Sequence, residues 1–187
     1  MATNTANQKA VVKTATRFNT KKFQLQRKNH FEVQFIPTEG SGLDIDADLR
    51  FMVVSFPLPK ETTESNDVSY FNQTIKTAGK TTFDTTTMVL RDAISYDTEK
   101  KFLNWRKNVY NPAEGTMGLA AEYKCQAQVR EYTPNGEQFR SWRLVGCWPS
   151  GIDYGDMSYD DGGEKQLSVT ITYDFAYRDD LDKEISL

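Results

Sequence analysis

The residues that could do chemistry are few, and their spacing does not bring them together. The chain of 187 residues holds one histidine, His30, and two cysteines, Cys125 and Cys147. A lone imidazole beside a strand is expected to be structural or exposed, since it has no sequence neighbour for general-base or metal work. No Cys/His spacing suits zinc. Asp44, Asp46 and Asp48 alternate as calcium ligands do, but Leu49 stands where a calcium loop needs glycine, so no metal site is expected. The pairs Asp160-Asp161 and Asp179-Asp180 read as solvated acidic runs. No glycine-rich turn leads from a strand into a helix to cradle phosphate, and no serine sits in a nucleophile elbow. The expectation is a protein with no catalytic residues, no cofactor and no metal.

The elements that carry these residues are mostly strands. Ala121 to Trp148 is the clearest stretch: two alternating runs flank Thr133-Pro134-Asn135-Gly136-Glu137, a strong hairpin signal. Tyr123, Cys125, Ala127 and Val129 share a dry face, and Lys124, Gln126, Gln128 and Arg130 share a wet one. With Gly136 in the left-handed region, the two cysteines lie diagonally across the pair. A disulfide is conceivable there, and two small buried thiols are expected. Further strands are expected at Asn29–Ile36, Leu49–Phe56 (apolar on both faces, hence buried between layers), Asp67–Lys76 and Thr85–Arg91. A long closing strand alternates Leu167, Val169, Ile171, Tyr173, Phe175 and Tyr177 with polar residues. Lys60–Asn66 and Thr77–Lys80 read as loop and turn, and Pro149-Ser150-Gly151 as a stop.

One helix is expected, capped by Asp97, burying Phe102, Trp105 and Val109, and stopped at Asn111-Pro112. About seven or eight strands and one helix predict a single mainly β domain, an antiparallel sandwich or partly closed barrel with one flanking helix.

The net charge of −3 hides an asymmetry. Residues 1–30 carry seven cations, including Lys13, Arg17, Lys21 and Lys22, and no acid. Residues 150–187 carry ten acids against three cations. A basic arm (1–26) and an acidic tail (179–187) therefore flank the domain at 27–178, and opposite charges on one chain attract between copies. The arm lacks interleaved aromatics, with only Phe18 and Phe23, which argues against nucleic-acid binding. No run reaches the roughly 18 apolar residues of a membrane span. The first residues contain no apolar signal core, so a protein kept in a cytoplasm is expected and the sequon Asn72-Gln73-Thr74 carries no meaning.

Several segments, in order, resemble the tail tube protein of T4-like contractile-tailed bacteriophages. They are Ala78-Gly79-Lys80-Thr81-Thr82-Phe83-Asp84, Thr86-Thr87-Met88-Val89-Leu90, Lys101-Phe102-Leu103-Asn104-Trp105, Ala121-Glu122-Tyr123-Lys124 with Val129-Arg130-Glu131-Tyr132, and Gly146-Cys147-Trp148-Pro149-Ser150 with the closing strand. The resemblance spans roughly residues 28–178. It implies hexameric rings with a shared inner β-barrel, stacked into a hollow tube inside a contractile sheath. It also implies baseplate or tube-initiator and tail-terminator partners, assembly in the host cytoplasm, and DNA passing through the lumen without specific binding.

On that reading Lys124, Gln126, Gln128 and Arg130, with Asn72 and Thr74, are expected to face the lumen. Lys13, Arg17, Lys21, Lys22, Asp44, Asp46, Asp48, Asp179 and Asp180 are expected between rings, with Leu43–Pro59 as the first interlocking loop. Two departures stand out. The arm is longer than the resemblance implies. The family's channel is typically acidic, whereas this wet face is amide and basic; either it is not luminal, or Glu131 and Glu137 at its ends dominate. The alternatives are a tube initiator or terminator, the tube of a toxin-injection particle, or an unrelated β-sandwich binding module.

Overall fold

A computed structural model describes residues 25–38 and 44–179. Lys13, Arg17, Lys21, Lys22 and Asp180 lie outside these residues. Alternation of apolar and polar side chains builds most of what is seen. Strand β1 is Phe31–Ile36, β5 Thr86–Arg91, β8 Cys125–Tyr132, β9 Gln138–Asp153 and β10 Gln166–Thr172. Their inward positions, among them Val33, Met88, Leu90, Ala127, Leu144, Leu167 and Ile171, are almost wholly buried in one core.

All pairings are antiparallel. The strand β9 is long enough to serve two sheets. Its first half pairs with β8, which pairs with β1, and on the other side with β11 (Phe175–Arg178). Its second half pairs with β10, which leads through β5 to β2 (Val53–Ser55). The result is a mainly antiparallel β sandwich, as the alternation predicts.

One helix, α2 at Thr98–Val109, flanks the sandwich and packs on β9. Asp97 caps it, its side chain accepting from Lys100 N at 3.2 Å. Phe102, Trp105 and Val109 are buried, and the Trp105 ring packs edge-on to Phe35. A two-stranded ribbon, β6 (Tyr110–Asn111) with β7 (Thr116–Met117), follows the helix.

Five expectations need correction. Leu49–Phe56 is not one strand between layers: Leu49–Met52 is a helical turn (α1), followed by the short β2. Aspartate turn chemistry decides this. Asp46 Oδ1 accepts from Asp48 N, and Phe51 N then reaches Asp48 O at 3.0 Å. Phe51 consequently points to solvent and is 61% exposed.

Asp67–Lys76 is not a lone strand between a loop and a turn. It is the outer part of a hairpin, β3 (Glu61–Tyr70) with β4 (Gln73–Phe83). Nearly every residue of the hairpin is exposed on both faces, so no apolar periodicity could announce it. Its turn, Phe71-Asn72, carries φ +52° at Phe71, a position where glycine is the usual signal.

Ala121–Tyr123 is not strand. Ala120–Tyr123 forms a helical turn (α3), with Glu122 Oε2 accepting from Leu119 N, and β8 starts only at Cys125. Pro149 does not stop β9. Beyond Cys147 the partner strand β8 has ended, so β9 is an edge there and tolerates a residue without an N–H.

The closing strand breaks at Tyr173-Asp174, where the chain passes from one sheet to the other. The break shifts the alternation. Tyr173 stays buried, but Ala176 then fills the core, while Phe175 turns outward at 47% exposure.

Facing that break, β9 bends at Gly146, whose φ is +71°. A Cβ there would sit 2.1 Å from Asp174 Oδ2. Asp174 is fixed by its own N–H to Val145 O at 2.9 Å and by Lys124 Nζ at 2.8 Å from both carboxylate oxygens. Gly146→Ala is therefore expected to cost roughly 1–3 kcal/mol from backbone conformation alone, before the clash is relieved. The drop should be seen in the urea midpoint of the purified chain.

Candidate functional site

The wet face of the β1–β8–β9 sheet is a polar network. Tyr132 Oη donates to Glu32 Oε2 at 2.6 Å, and Arg50 Nη1 donates to Glu32 Oε1 at 3.3 Å. Arg130 Nη2 donates to Gln128 Oε1 at 2.6 Å. Gln128 Nε2 donates to Ser141 Oγ at 2.9 Å, and Arg143 Nη2 pairs with Asp179 Oδ2 at 2.9 Å. Gln126, Gln128 and Arg130 are half-buried within this layer. Lys124 lies just outside the strand, on Asp174.

The register explains the face's charge. Glu32 stands opposite Arg130 on the neighbouring strand, and Asp174 and Asp179 come from the end of the described chain. A face that reads as amide and basic along β8 is thus balanced by acids from elsewhere. Glu131 adds nothing to it: it lies on the dry side and is only 7% exposed. Glu137 lies in the exposed turn.

The Tyr132 hydroxyl above all, then Arg50 and Arg130, hold the Glu32 carboxyl below its ordinary value of 4.5 against the opposing effect of burial. A carboxyl with a lower pKa folded than unfolded contributes stability that is complete above about 4.5. That stability is lost as pH falls through the lower folded value. Stability measured by urea between about pH 6 and about pH 3 should therefore fall less steeply for Glu32→Gln than for the native chain.

The Asp-rich segment is tied to the helix base. Asp46 Oδ1 accepts from Tyr96 Oη at 2.5 Å, and Lys101 Nζ lies 3.3 Å from Asp46 Oδ2. The Tyr96 hydroxyl, then Lys101, lowers the Asp46 carboxyl, while burial and Asp46 push the Tyr96 phenol up. Asp44 reaches Lys101 through its carbonyl, and the exposed Asp48 opens α1. Among the described residues no three acids, histidines or cysteines converge as a metal site.

Cys125 and Cys147 are free and buried, and they stand directly opposite each other in register, not diagonally. Burial pushes both thiols up, that of Cys147 to about 12. Such thiols are weak nucleophiles and fit a packing role.

Two exposed apolar groups were not legible as sites. The β3–β4 hairpin presents Val68, Tyr70, Phe71 and Ile75, with Phe71 89% exposed and Asn72 and Thr74 beside them. The loop between β9 and β10 presents Met157 and Tyr159. Their direction follows from the register of β5 with β10. The hairpin enters β5 before Thr86, which pairs with Ile171, and the loop enters β10 at Gln166, which pairs with Arg91. Hairpin and loop therefore leave opposite ends of the same strand pair. The sheet edges at β1, β2 and β11 have no strand beyond them among the described residues.

A family model described as T4-like virus tail tube protein gp19 matches residues 27–174. Similar solved structures include the tube terminating cap of the anti-feeding prophage, with TM-score 0.63 and 10% identity over 83% of this chain and 91% of that one. A chain from the sheath–tube complex of the extracellular contractile injection system PVC has TM-score 0.58 and 12% identity over 87% of this chain and 95% of that one. A chain from the PVC sheath/tube terminator has TM-score 0.58 and 12% identity over 83% and 96%. At these identities the likeness is one of fold. Comparison with curated proteins finds no match.

Proposed function

The chain belongs to the T4-like virus tail tube protein family, a structural component of a virion tail, and from that premise we propose that its copies close into hexameric rings which stack into a hollow tube conducting DNA. The observation that carries the reading is the family match across 27–174, joined to sheet edges that no strand among the described residues covers. An exposed edge invites another strand, and a closed ring of subunits removes it.

Stacking requires a head-to-tail contact that does not close. The apolar hairpin tip and the Met157–Tyr159 loop leave opposite ends of β5 and β10 and suit that role. Asn72 and Thr74, on the hairpin, belong with this stacking surface in our reading. So do Asp44 and Asp48, which the helix base leaves exposed. Gln126, Gln128 and Arg130, with Glu32, Arg143 and Asp179, form the lumen-facing layer. Its mixed charge gives DNA phosphates no net cationic hold. The outer side, with Lys100 and Lys107, is left for a contractile sheath protein. Baseplate and terminator proteins would meet the tube's two ends, and assembly would take place in the host cytoplasm. Such a protein acts by shape and needs no catalytic group.

Electron microscopy of the purified chain at high concentration tests this. Hexameric rings or tubes are the expected result. Tubes of indefinite length support the tube role, whereas single rings that stop growing would assign the chain to an initiator or terminator. A protein that stays monomeric at every concentration and salt would overturn ring assembly altogether.

A further inference from the structure

The two cysteines form the last rung of the β8–β9 ladder. Cys125 opens β8 and stands opposite Cys147, and the register shifts at the next position. Both side chains lie in one core cluster, at 1% and 0% exposure, so they leave the same face of the sheet. Opposed residues of an antiparallel pair have Cα atoms about 4.5 or about 5.5 Å apart. Both spacings fall within the roughly 4.4–6.8 Å that a disulfide spans. The pair is also close in charge terms: burial, then Cys147, raises the Cys125 thiol. The backbone at this rung is already irregular, with φ +71° at the neighbouring Gly146.

The rung's position gives a small reagent access without unfolding the sandwich. Before Cys125 the chain is the turn α3 and the exposed-side Lys124, and beyond Cys147 β9 no longer has β8 beside it. The end of a ladder opens at less cost than its middle. The two sulfurs differ in readiness. Burial raises both thiols, and at Cys147 a hydrogen bond from the Ala127 backbone offsets part of the rise. Cys147 Sγ also contacts Leu144 O at 3.6 Å.

We propose that Cys125 and Cys147 are an oxidation site at which a peroxide converts the folded chain's two thiols into a cross-strand disulfide. The Cys147 sulfur attacks one peroxide oxygen, the O–O bond breaks, and the leaving hydroxide takes the thiol proton as water. The sulfenic acid left on Cys147 is then attacked by the Cys125 sulfur, and its hydroxide leaves with the second proton as water. Two thiols are oxidised by two electrons, and one peroxide is reduced to two waters. The chain therefore folds with both thiols reduced where disulfides are scarce, and the bond is added afterwards. Nothing in this depends on tube assembly, so it is tested on the unassembled chain.

The native chain, purified reduced as a mixture of isotopically light and heavy protein, is treated with hydrogen peroxide. Exposed Met157 serves as the clock, and treatment continues for about ten times the interval that oxidises it. The expected result is loss of both thiols and a peptide pair joining Cys125 to Cys147 within one isotope, released again by dithiothreitol. Two intact thiols, thiols carried on to sulfinic acid without a bond, or a bond between light and heavy chains would each overturn the proposal. The oxidised chain is also expected to unfold at higher urea than the reduced chain, because the bond closes a loop in the unfolded state. An equal or lower midpoint would show that the bond does not fit the native rung and would overturn it as well.

Discussion

Trp105→Ala is expected to lower the free energy of unfolding by roughly 3–5 kcal/mol, the usual range for truncating a buried large aromatic residue. Three observations place it near the upper end. Trp105 is 1% exposed and is among the largest fully buried side chains of the molecule. Its ring contacts both Phe35 of β1 and Phe102 of its own helix, so the void would open where helix and sheet meet. Its Nε1–H donates to Tyr123 O at 2.7 Å, and truncation leaves that carbonyl without its donor. Tyr123 closes α3, whose next residues begin β8, so the loosening would spread to the start of the central strand. Trp105→Phe separates the two parts: most of the volume returns, but not the hydrogen bond. Urea titrations of both variants measure the difference. A loss below about 1 kcal/mol for the alanine variant would contradict the packing described.

The largest effect on assembly is expected at the hairpin tip. Replacing Tyr70, Phe71 and Ile75 together by serine should abolish stacking at concentrations where the native chain forms tubes. The fold should scarcely notice. These side chains are not among the buried core residues, and Tyr70 and Ile75 are 62% and 52% exposed. Exposed substitutions of this kind usually stay within about 0.5 kcal/mol each. The positive φ at Phe71 adds to the case, since a polar residue bears it at less cost than a bulky aromatic. Light scattering and electron microscopy read assembly, and thermal unfolding reads the fold. Tubes of native length and abundance from the triple variant would remove the hairpin from the stacking surface.

How much of this the sequence discloses depends on whether a residue's surroundings are local. The cap and buried stripe of the helix were legible, because Asp97, Phe102, Trp105 and Val109 announce them at fixed spacing; its end was not, since the helix stops at Val109 and Tyr110–Asn111 is already strand. The β8–β9 hairpin was legible for the same reason: alternation and a Gly136 turn are local signals, and φ at Gly136 is +84°. The β3–β4 hairpin was not. Threonine, serine and asparagine on both faces give no period, and the tip, Phe71-Asn72, has phenylalanine where glycine is the usual turn signal. The break at Tyr173-Asp174 was hidden in the strongest alternation of the chain. It depends on Gly146 across the sheet, which no window on the closing strand contains. The wet face was half legible. Gln128 and Arg130 were placed on it, but its acids come from β1 and from Asp174 and Asp179, so its balance appears only with the register.

The sharing of β9 by both sheets has a kinetic consequence. Neither sheet can detach without opening the strand that holds the other, and the chain returns from β10 to β11 across the same junction. The sandwich should therefore melt as one cooperative unit, with amides in β8 and β10 exchanging at the same global rate. A subunit with one sheet formed and the other frayed would offer bare edges to any passing chain. A fold hinged on a single strand gives that intermediate little time to exist, which suits a protein whose copies crowd together before they are joined.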